Sequence, residues 1–443
     1  MIVKTVVRPE TEMKNSGIEY IGKIPNDWEV RKVGYLAAKI TDYVASGSFA
    51  TLAQNVQYLD EPDYARLIRT VDLSGSVNKQ PVYVSKEAYK FLSNSNLFGG
   101  ELILPNIGSV GCVYQYKKIY EHATLAPNSI LLDMKENNRF YFYWFSNPIV
   151  GESLKMLGNS TVQVKFNKSQ LRQYMLPRPP LSEQQSIADY LDETCSKIDE
   201  IIAEAKASID EYKELKQSVI DKAVLHGLCN GMMKDSGNDL IGKIPLSWEM
   251  RKLKYVADFN PGITTAYDAQ KEVGYVPMNC VKNGYMNPLS ARLSDMSTGL
   301  TGFQDGYIVI AKVTPCFENG NIAVAENLEQ GVAFGSSELF VIRTHSINRR
   351  FMLYYLQNSV FKNQCISTMT GTGGLKRVSG YFVNNAYITY PPENEQQVIV
   401  NYLDEAVKNM DSLISEKESL INDLEAYKKS LIYEVVTGKR RVV

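Results

Sequence analysis

Two polar loops carry residue types that can hydrogen-bond a nucleic acid. Residues 158–165 read GNSTVQVK, and residues 370–377 read TGTGGLKR. Small residues let the backbone approach phosphate groups, hydroxyls and amides donate hydrogen bonds, and a terminal cation supplies positive charge. An ordinary surface loop is the competing interpretation, although recurrence at a matched position favours binding. The candidate contacts in these loops are Asn159, Ser160, Thr161, Lys165, Thr372, Lys376 and Arg377.

A second set of candidates lies on turns that follow apolar, strand-like runs. Amide and carboxylate side chains suit base edges, asparagine pairing with adenine and glutamate with cytosine. Plain turn chemistry explains the same residues equally well. These candidates are Asn106 and Ser109 in the first half of the chain, and Lys312, Thr314, Glu318 and Asn319 in the second.

The sequence lacks the motifs of a self-sufficient enzyme. It contains no GxxxxGK[ST] phosphate loop, no GxGxxG fingerprint and no HExxH. Asp27, Glu29 and Lys32 are spaced as in a metal nuclease, but the matching position of an internal repeat replaces Asp27 with Ser247, which favours a structural role. Six cysteines without a CxxC pair and three scattered histidines indicate reduced thiols and no zinc site. We therefore expect no catalytic residue, metal or cofactor site in this chain.

The chain contains a second copy of its own framework. Residues 13–37 match residues 233–257 at 15 of 25 positions, and residues 179–202 match residues 391–414 at 12 of 24. The segments between them, 38–178 and 258–390, show no comparable match. Duplicated frames around divergent inserts indicate one shared framework task and two different insert tasks.

Each Pro-Pro-x-x-Glu-Gln-Gln block predicts the start of a long helix. Prolines suit a helix start, and a glutamate in the first turn complements the helix dipole. Sustained heptads over about six repeats indicate a coiled coil, and Gly227 and Gly438 should end the two helices. Pairing of the two helices with each other is the simplest solution; pairing with another subunit is the alternative. The predicted seam is Ile187, Leu191, Thr194, Ile198, Ile201, Ala205, Ile209, Tyr212, Leu215, Val219 and Ala223, then Ile399, Leu403, Ala406, Met410, Leu413, Lys417, Leu420, Leu424, Tyr427, Leu431 and Val435.

Length and composition fit a folded protein of several domains. The 443 residues are 44% hydrophobic and 22% charged, which excludes disordered and collagen-like classes. We expect a soluble, cytoplasmic protein, because no run of 18 apolar residues and no signal-peptide core is present. The predicted boundaries are a first globular domain over 1–178, a long helix over 179–227, a linker over 228–236, a second globular domain over 237–390, a second long helix over 391–438 and a basic tail over 439–443.

The duplicated IPNDWEVRK and PPLSEQQSIADYLDE elements resemble those of the specificity subunit of type I restriction–modification enzymes. Only PPEN in place of PPLS departs from that pattern, in the second copy. The resemblance implies an α+β fold: two globular α/β target recognition domains separated by two long helices that form an antiparallel coiled coil, with a pseudo-twofold repeat. It implies a non-catalytic subunit that reads a bipartite, asymmetric site in double-stranded DNA.

The resemblance also implies the partners. Two methyltransferase (modification) subunits would dock on the coiled coil, with restriction/motor subunits completing the complex. S-adenosylmethionine, ATP and Mg²⁺ would belong to those partners. Two other functions stay open: a coiled-coil scaffold with two protein-binding modules, and recognition domains split from a fused restriction–methylation polypeptide.

The net charge of −1 hides an uneven distribution. Residues 180–226 carry 11 acidic and 5 basic side chains, and residues 392–437 carry 10 and 4, so each long helix has a net charge of −6. The remaining 350 residues therefore carry +11. The globular parts have the sign that DNA phosphates require, while the helices would be repelled by DNA.

Overall fold

The computed structural model describes residues 5–75, 80–158, 164–229, 231–372 and 374–443. These residues divide into two compact units, the first formed by Met1–Ala205 with Ser419–Val443 and the second by Lys206–Glu418. Each unit therefore contains one globular domain and one part of each long helix.

The first unit begins with short strands and ends its globular domain with three helices and a strand. Its strands are β1 (Thr5–Val7), β2 (Met13–Asn15), β3 (Lys23–Pro25), β4 (Glu29–Lys32), β5 (Ala37–Asp42), β6 (Ala65–Ile68), β7 (Val82–Val84), β8 (Asn96–Leu97), β9 (Leu102–Pro105), β10 (Tyr114–Gln115), β11 (Ala123–Leu125), β12 (Ser129–Met134) and β13 (Met175–Arg178). Its helices are α1 (Val33–Leu36), α2 (Phe49–Asn55), α3 (Thr70–Leu73), α4 (Lys86–Phe91), α5 (Asn138–Phe145), α6 (Pro148–Lys155) and α7 (Lys168–Gln173). The first long helix, α8, spans Leu181–His226 and continues into the second unit.

The second unit also begins with short strands and ends its globular domain with three helices and a strand. Its strands are β14 (Met233–Asp235), β15 (Lys243–Pro245), β16 (Glu249–Lys252), β17 (Ala257–Phe259), β18 (Glu272–Val276), β19 (Leu289–Arg292), β20 (Thr301–Gln304), β21 (Ile308–Ala311), β22 (Ile322–Val324), β23 (Val332–Gly335), β24 (Leu339–Thr344), β25 (Thr370–Thr372), β26 (Leu375–Arg377) and β27 (Tyr387–Tyr390). Its helices are α9 (Arg349–Gln357), α10 (Ser359–Ser367) and α11 (Gly380–Asn385). The second long helix, α12, spans Glu393–Val436, and β28 (Arg440–Val442) follows it and pairs with β1.

The two globular domains share one sheet topology. One four-stranded sheet has the order β10-β9-β12-β5 in the first unit and β22-β21-β24-β17 in the second. The other four-stranded sheet has the order β7-β6-β11-β8 in the first unit and β19-β18-β23-β20 in the second, and in each the central pair is parallel while the flanking pairs are antiparallel. The two inserts, which show no comparable sequence match, therefore fold alike, and the predicted α+β class is confirmed.

The Glu-Gln-Gln residues that open α8 attach this helix to the first globular domain. The fully buried Trp28 donates a hydrogen bond from Nε1 to Glu183 Oε2 (2.8 Å). Gln184, also buried, donates to the carbonyl of Pro179 (3.0 Å). Gln185 Oε1 accepts a hydrogen bond from Asn137 Nδ2 (3.1 Å), at the start of α5. The repeated motif is thus a structural junction.

The same junction recurs where α12 begins. Gln396 Oε1 accepts a hydrogen bond from the backbone N–H of Asn348 (2.7 Å), and Gln397 Oε1 accepts one from Asn348 Nδ2 (3.1 Å). Trp248, the counterpart of Trp28, is likewise fully buried. Its Nε1 has no hydrogen-bond partner among the described residues.

The long helices run antiparallel within the second unit. Lys216 on α8 donates a hydrogen bond to Asp411 Oδ1 on α12 (2.6 Å). At the end of α8, Gly227 lies beside Glu395 in the first turn of α12. Residues later in α8 therefore contact residues earlier in α12, which makes the pair antiparallel. Gly227 ends α8 at a positive φ of +78°, which glycine adopts without strain.

The first unit contains the equivalent pairing. Lys428 on α12 donates hydrogen bonds to both carboxylate oxygens of Asp199 on α8 (2.6 and 2.7 Å). Trp28 contacts Gly438, which follows α12, and is bonded to Glu183 at the start of α8. Asp199 and Lys428 each lie 212 residues from their counterparts in the second unit. The cross-helix ion pair is therefore duplicated with its two partners exchanged between the helices, as a pseudo-twofold repeat requires.

Five positions of the predicted seam are exposed: Ile201, Leu215, Leu413, Leu420 and Tyr427. Ile202 and Ile421, each one residue after an exposed position, are buried instead. The buried residues of this part of α8 alternate between steps of four and three residues, through Leu191, Cys195, Ile198, Ile202, Ala205 and Ile209. The seam prediction is wrong at Ile201 because it placed a three-residue step after Ile198, where the helix has a four-residue step.

The described residues contain no helix with the length and apolar character needed to cross a membrane. Likewise, no group of three or more metal-ligating side chains was found in that part of the chain.

Candidate nucleic-acid interface

In the first domain, the turn after β9, which carries Asn106 and Ser109, is held against the segment that precedes α7. The backbone N–H of Phe166 donates to the carbonyl of Asn106 (3.3 Å), and Asn106 Nδ2 donates back to the carbonyl of Phe166 (2.9 Å). Ile107 and Lys165 form an antiparallel bridge. The amide of Asn106 thus holds the loop, whereas Ser109 and Lys165 are exposed to solvent.

Two glycines fix the far side of this loop. Gly111 and Gly151 approach so closely that a Cβ on either would lie 2.8 Å from the carbonyl oxygen of the other. Gly111 also has a φ of +96°. Since Gly151 belongs to α6, the loop is held between that helix on one side and residues 165–166 on the other.

In the second domain, the turn after β21, which carries Lys312 and Thr314, is held by an equivalent antiparallel bridge. Val313 forms an antiparallel bridge with Arg377, and the backbone N–H of Val378 donates to the carbonyl of Lys312 (2.9 Å). The turn after β21 is therefore joined to the strand before α11, as the turn after β9 is joined to the residues before α7. Different side chains occupy equivalent places in the two domains.

Thr314 ties that turn to the β25–β26 hairpin. Its backbone N–H donates to the carbonyl of Lys376 (3.0 Å), and its Oγ1 accepts a hydrogen bond from the backbone N–H of Lys376 (2.9 Å). The Oγ1 hydroxyl also donates to the carbonyl of Gly374 (2.8 Å). Thr372 and the Lys376 side chain are exposed. The structure therefore brings together Lys312, Thr314, Thr372, Lys376 and Arg377.

Glu338 holds two of the candidate cations in this hairpin region. Arg377 donates from Nη2 to Glu338 Oε1 (2.7 Å) and from Nε to Oε2 (2.9 Å). These hydrogen bonds lower the pKa of the Glu338 carboxyl below its usual value. Lys312 Nζ donates to the carbonyl of Ser337 (2.7 Å) and lies 4.0 Å from Glu338 Oε2. Lys376 is exposed and forms no ion pair among the described residues.

Glu318 and Asn319 lie on the following turn, beside a crevice of about 240 Å³. Asn319 lines this crevice together with Lys216 of α8 and Tyr354 of α9. Lys362 Nζ donates to the carbonyl of Glu318 (3.4 Å). Both side chains are exposed, and their assignment as base contacts stays a prediction.

Three candidates, Asn159, Ser160 and Thr161, lie outside the described residues. The residues that flank them are close together, because a Cβ on Gly158 would lie 2.8 Å from the carbonyl oxygen of Lys165.

The sequence did not indicate Glu338 or the pair Gly111 and Gly151. Glu338 is 39 residues from Arg377 in the chain, and no spacing rule joins two such positions. Gly151 does leave a signal, since an isolated glycine inside a helical segment often marks a close backbone approach.

Asp192 of α8 attaches this helix to α5 within the first unit. Arg139 Nη1 donates to Asp192 Oδ2 (2.6 Å), and the hydroxyl of Tyr143 donates to Oδ1 (2.7 Å). Burial, and then the bond to Asp192, raise the pKa of the Tyr143 hydroxyl. The equivalent groups of the second unit are Arg350, Tyr354 and Asp404.

Comparison with known proteins matches both halves of the chain to one family. The model of the type I restriction modification DNA specificity domain matches residues 25–211 and again residues 245–423. The EcoAI specificity subunit of Escherichia coli is 34% identical over 183 residues, which are 40% of this chain and 31% of that protein. The MjaVIII specificity subunit of Methanocaldococcus jannaschii is 23% identical over 437 residues, which are 95% of this chain and 94% of that one.

A solved structure shows the same fold. One chain from a study of complex assembly and conformational transition of the type I R-M system superposes with a TM-score of 0.68 at 14% identity, covering 94% of this chain and 99% of that chain. The alignments to the first E. coli relatives span about a third of their length, 31% and 37%. Because the family model matches most of the chain in two copies, this protein belongs to the type I restriction modification DNA specificity domain family.

Proposed function

We propose that this chain is the non-catalytic specificity subunit of a type I restriction–modification complex and that it reads a bipartite, asymmetric target in double-stranded DNA. The observation that carries the proposal is the pair of equivalent loops on domains of one topology. At matched places the first domain carries Asn106 and Lys165, and the second carries Lys312 and Arg377. Two equal scaffolds with unlike contact residues suit two unlike half-sites.

The distribution of charge supports the same assignment. The globular parts, with a net charge of +11, attract DNA phosphates, and the acidic helices do not. This difference favours DNA over the alternative of a scaffold with two protein-binding modules, for which a net positive charge outside the helices has no evident purpose.

The helices provide a surface for partner subunits. In the first unit, Ile201 and Tyr427 are exposed within about one turn of the Asp199–Lys428 pair. Leu413 and Leu215 are exposed at the equivalent places of the second unit. Duplicated apolar residues on otherwise acidic helices suit two copies of one partner. We assign that partner as the methyltransferase subunit, two per chain, with restriction/motor subunits completing the complex in the cytoplasm.

The chemistry belongs to those partners in this proposal. S-adenosylmethionine, ATP and Mg²⁺ would bind there, and this chain would supply no catalytic residue. The role of this chain would be to bind the DNA target through hydrogen bonds and positive charge.

The test is co-expression with the neighbouring methyltransferase, followed by sequencing of methylated DNA. Replacing residues 38–178 with those of another specificity subunit should change one half of a bipartite methylated motif, and replacing residues 258–390 should change the other half. Unchanged methylation after both replacements would refute the proposal.

Stoichiometry is measured on the same assembly. Native mass measurement should give two methyltransferase subunits for each copy of this chain. A ratio of one to one would contradict the duplicated docking surface and leave the assignment of the half-sites intact.

A further inference from the structure

The internal repeat allows each frame residue to be compared in two copies. Most identical positions have a clear structural purpose: Ile21, Ile24 and Trp28 are buried in the first copy, and Gly22 adopts a positive φ of +69° in a turn. Tyr35 is identical in the two copies but is not buried. Its side chain is 71% exposed, and that of its counterpart Tyr255 is 65% exposed.

Identical cations accompany both tyrosines. We call them the first frame patch, formed by Arg31, Lys32 and Tyr35, and the second frame patch, formed by Arg251, Lys252 and Tyr255. Within each patch the arginine is paired with the glutamate two residues before it, at 3.1 Å and 2.8 Å.

The lysines keep an unpaired positive charge. Lys32 Nζ donates to the uncharged Gln173 Oε1 (2.6 Å), and Lys252 Nζ lies 5.2 Å from the ring centre of Tyr387. Neither lysine forms an ion pair within the part of the chain that the structure describes. Lys254, beside the second patch, donates to the uncharged Asn385 Oδ1 (2.9 Å). Both patches are therefore net positive.

Each frame patch lies one short helix away from a candidate recognition loop. In the first unit, α7 begins three residues after Lys165, and its last residue, Gln173, contacts Lys32. In the second unit, α11 begins three residues after Arg377, and its last residue, Asn385, contacts Lys254. A six-residue helix is about 9 Å long, so each patch lies a short distance from the loop of its own domain.

We propose that the frame patches bind the DNA phosphate backbone beside each half-site, without reading bases. This inference rests on the proposed function, that the chain binds DNA. Loops that read different bases must differ between the two domains, whereas the phosphodiester backbone is the same at every site. Identical residues that reach solvent in both copies therefore fit a ligand that is identical at both places, and a lysine and a tyrosine hydroxyl supply the charge and the hydrogen bond that phosphate contacts use.

The test removes both lysines in the complete assembly with its methyltransferase. The variant is Lys32→Ala with Lys252→Ala. Its matched control is Lys23→Ala with Lys243→Ala, which removes two other exposed lysines that are identical in the two frames but lie on β3 and β15. DNA affinity is measured over a series of salt concentrations, on the methylated target and on an unrelated duplex.

We expect the affinity for both duplexes to fall by the same factor, with an unchanged methylated motif. The plot of log affinity against log salt concentration should become shallower by roughly 2, since each lost phosphate contact removes about 0.9 from the slope. The control variant should keep the slope of the unaltered chain.

Two outcomes would overturn the proposal. One is a slope and affinity equal to those of the control. The other is loss of methyltransferase subunits in native mass measurement at an unchanged slope, which would make the patches a protein-docking surface. Failure of the proposed function is distinguishable, because the unaltered assembly would then show no bipartite methylated motif.

Discussion

Single residues decide how the two recognition loops are held, and the two domains use different residues for the same purpose. Asn106 bonds to Phe166 through its side-chain amide, while Thr314 bonds to Lys376 through its hydroxyl. Both were candidates for base contact because of their polar groups. A polar side chain at the end of a strand can hydrogen-bond either to the protein backbone or to a ligand. The sequence does not distinguish these two roles, because the backbone partner lies far away along the chain.

The glycine pair of the first domain gives a residue-scale prediction. In Gly151→Ala the new methyl group would lie 2.8 Å from the carbonyl oxygen of Gly111, so the loop that carries Ser109 must move. We expect a loss of about 1–3 kcal/mol in the free energy of unfolding, as for other overpacked sites. The first half of the methylated motif should become less specific, and the second half should stay the same.

The control for this change is Gly262→Ala in the second domain, where an added Cβ meets nothing within 4 Å. It should alter neither stability nor the motif. Equal methylation of the cognate motif by Gly151→Ala and Gly262→Ala would show that the glycine contact does not position the loop for recognition.

At the scale of elements, the start and end of both long helices could be predicted and the buried face could not. Proline and glycine mark helix ends through local backbone chemistry, so Pro180 and Gly227 are informative alone. Which residue faces the neighbouring helix depends on whether the apolar pattern steps by three or by four residues, and Ile201 and Ile202 fit the pattern equally well. The structure buries Ile202, four residues after Ile198, and leaves Ile201 exposed.

The attachment of α9 to α12 gives an element-scale prediction. Asp404 accepts hydrogen bonds from Arg350 Nη2 (2.6 Å) and from the hydroxyl of Tyr354 (2.7 Å). Asp404→Asn removes the charge that both donors face, so we expect the free energy of unfolding to fall by about 1–2 kcal/mol. Chemical denaturation of the full chain measures this change.

Glu405→Gln is the matched control, because Glu405 is the next residue and is exposed. A change there should stay within about 0.5 kcal/mol. Equal effects of Asp404→Asn and Glu405→Gln would mean that net charge on the helix, and not the attachment of α9, sets the stability.

At the scale of the molecule, the duplication of the frame was visible in the sequence and that of the inserts was not. Identical residues such as Gln184 and Gln396 recur because each donates to the carbonyl of a proline that precedes its long helix (3.0 and 2.8 Å). Strands of the inserts need only apolar residues of about the right size, so the same sheet order is kept while the residues diverge. Candidate contact residues such as Lys165 and Arg377 differ between the two domains although the topology is shared. Their equivalence follows only from the structure, in which each forms an antiparallel bridge with the turn after the corresponding strand.

The continuity of both long helices gives a prediction for the whole molecule. If the helices set the distance between half-sites, one heptad inserted near Ala205 in α8 and one near Lys417 in α12 should lengthen each helix by about 10 Å. The spacer of the methylated motif should then grow by roughly three base pairs, at 3.4 Å each, while both half-sites stay the same.

A heptad inserted into α8 alone is the control, because it shifts the antiparallel pairing and separates Asp199 from Lys428 or Lys216 from Asp411. That single insertion should destabilise the chain without giving a defined longer spacer. If the double insertion methylates the original motif with its original spacer, the helices do not set the distance. The half-sites would then be placed by the partner subunits, and the frame would serve only to hold the two domains in one chain.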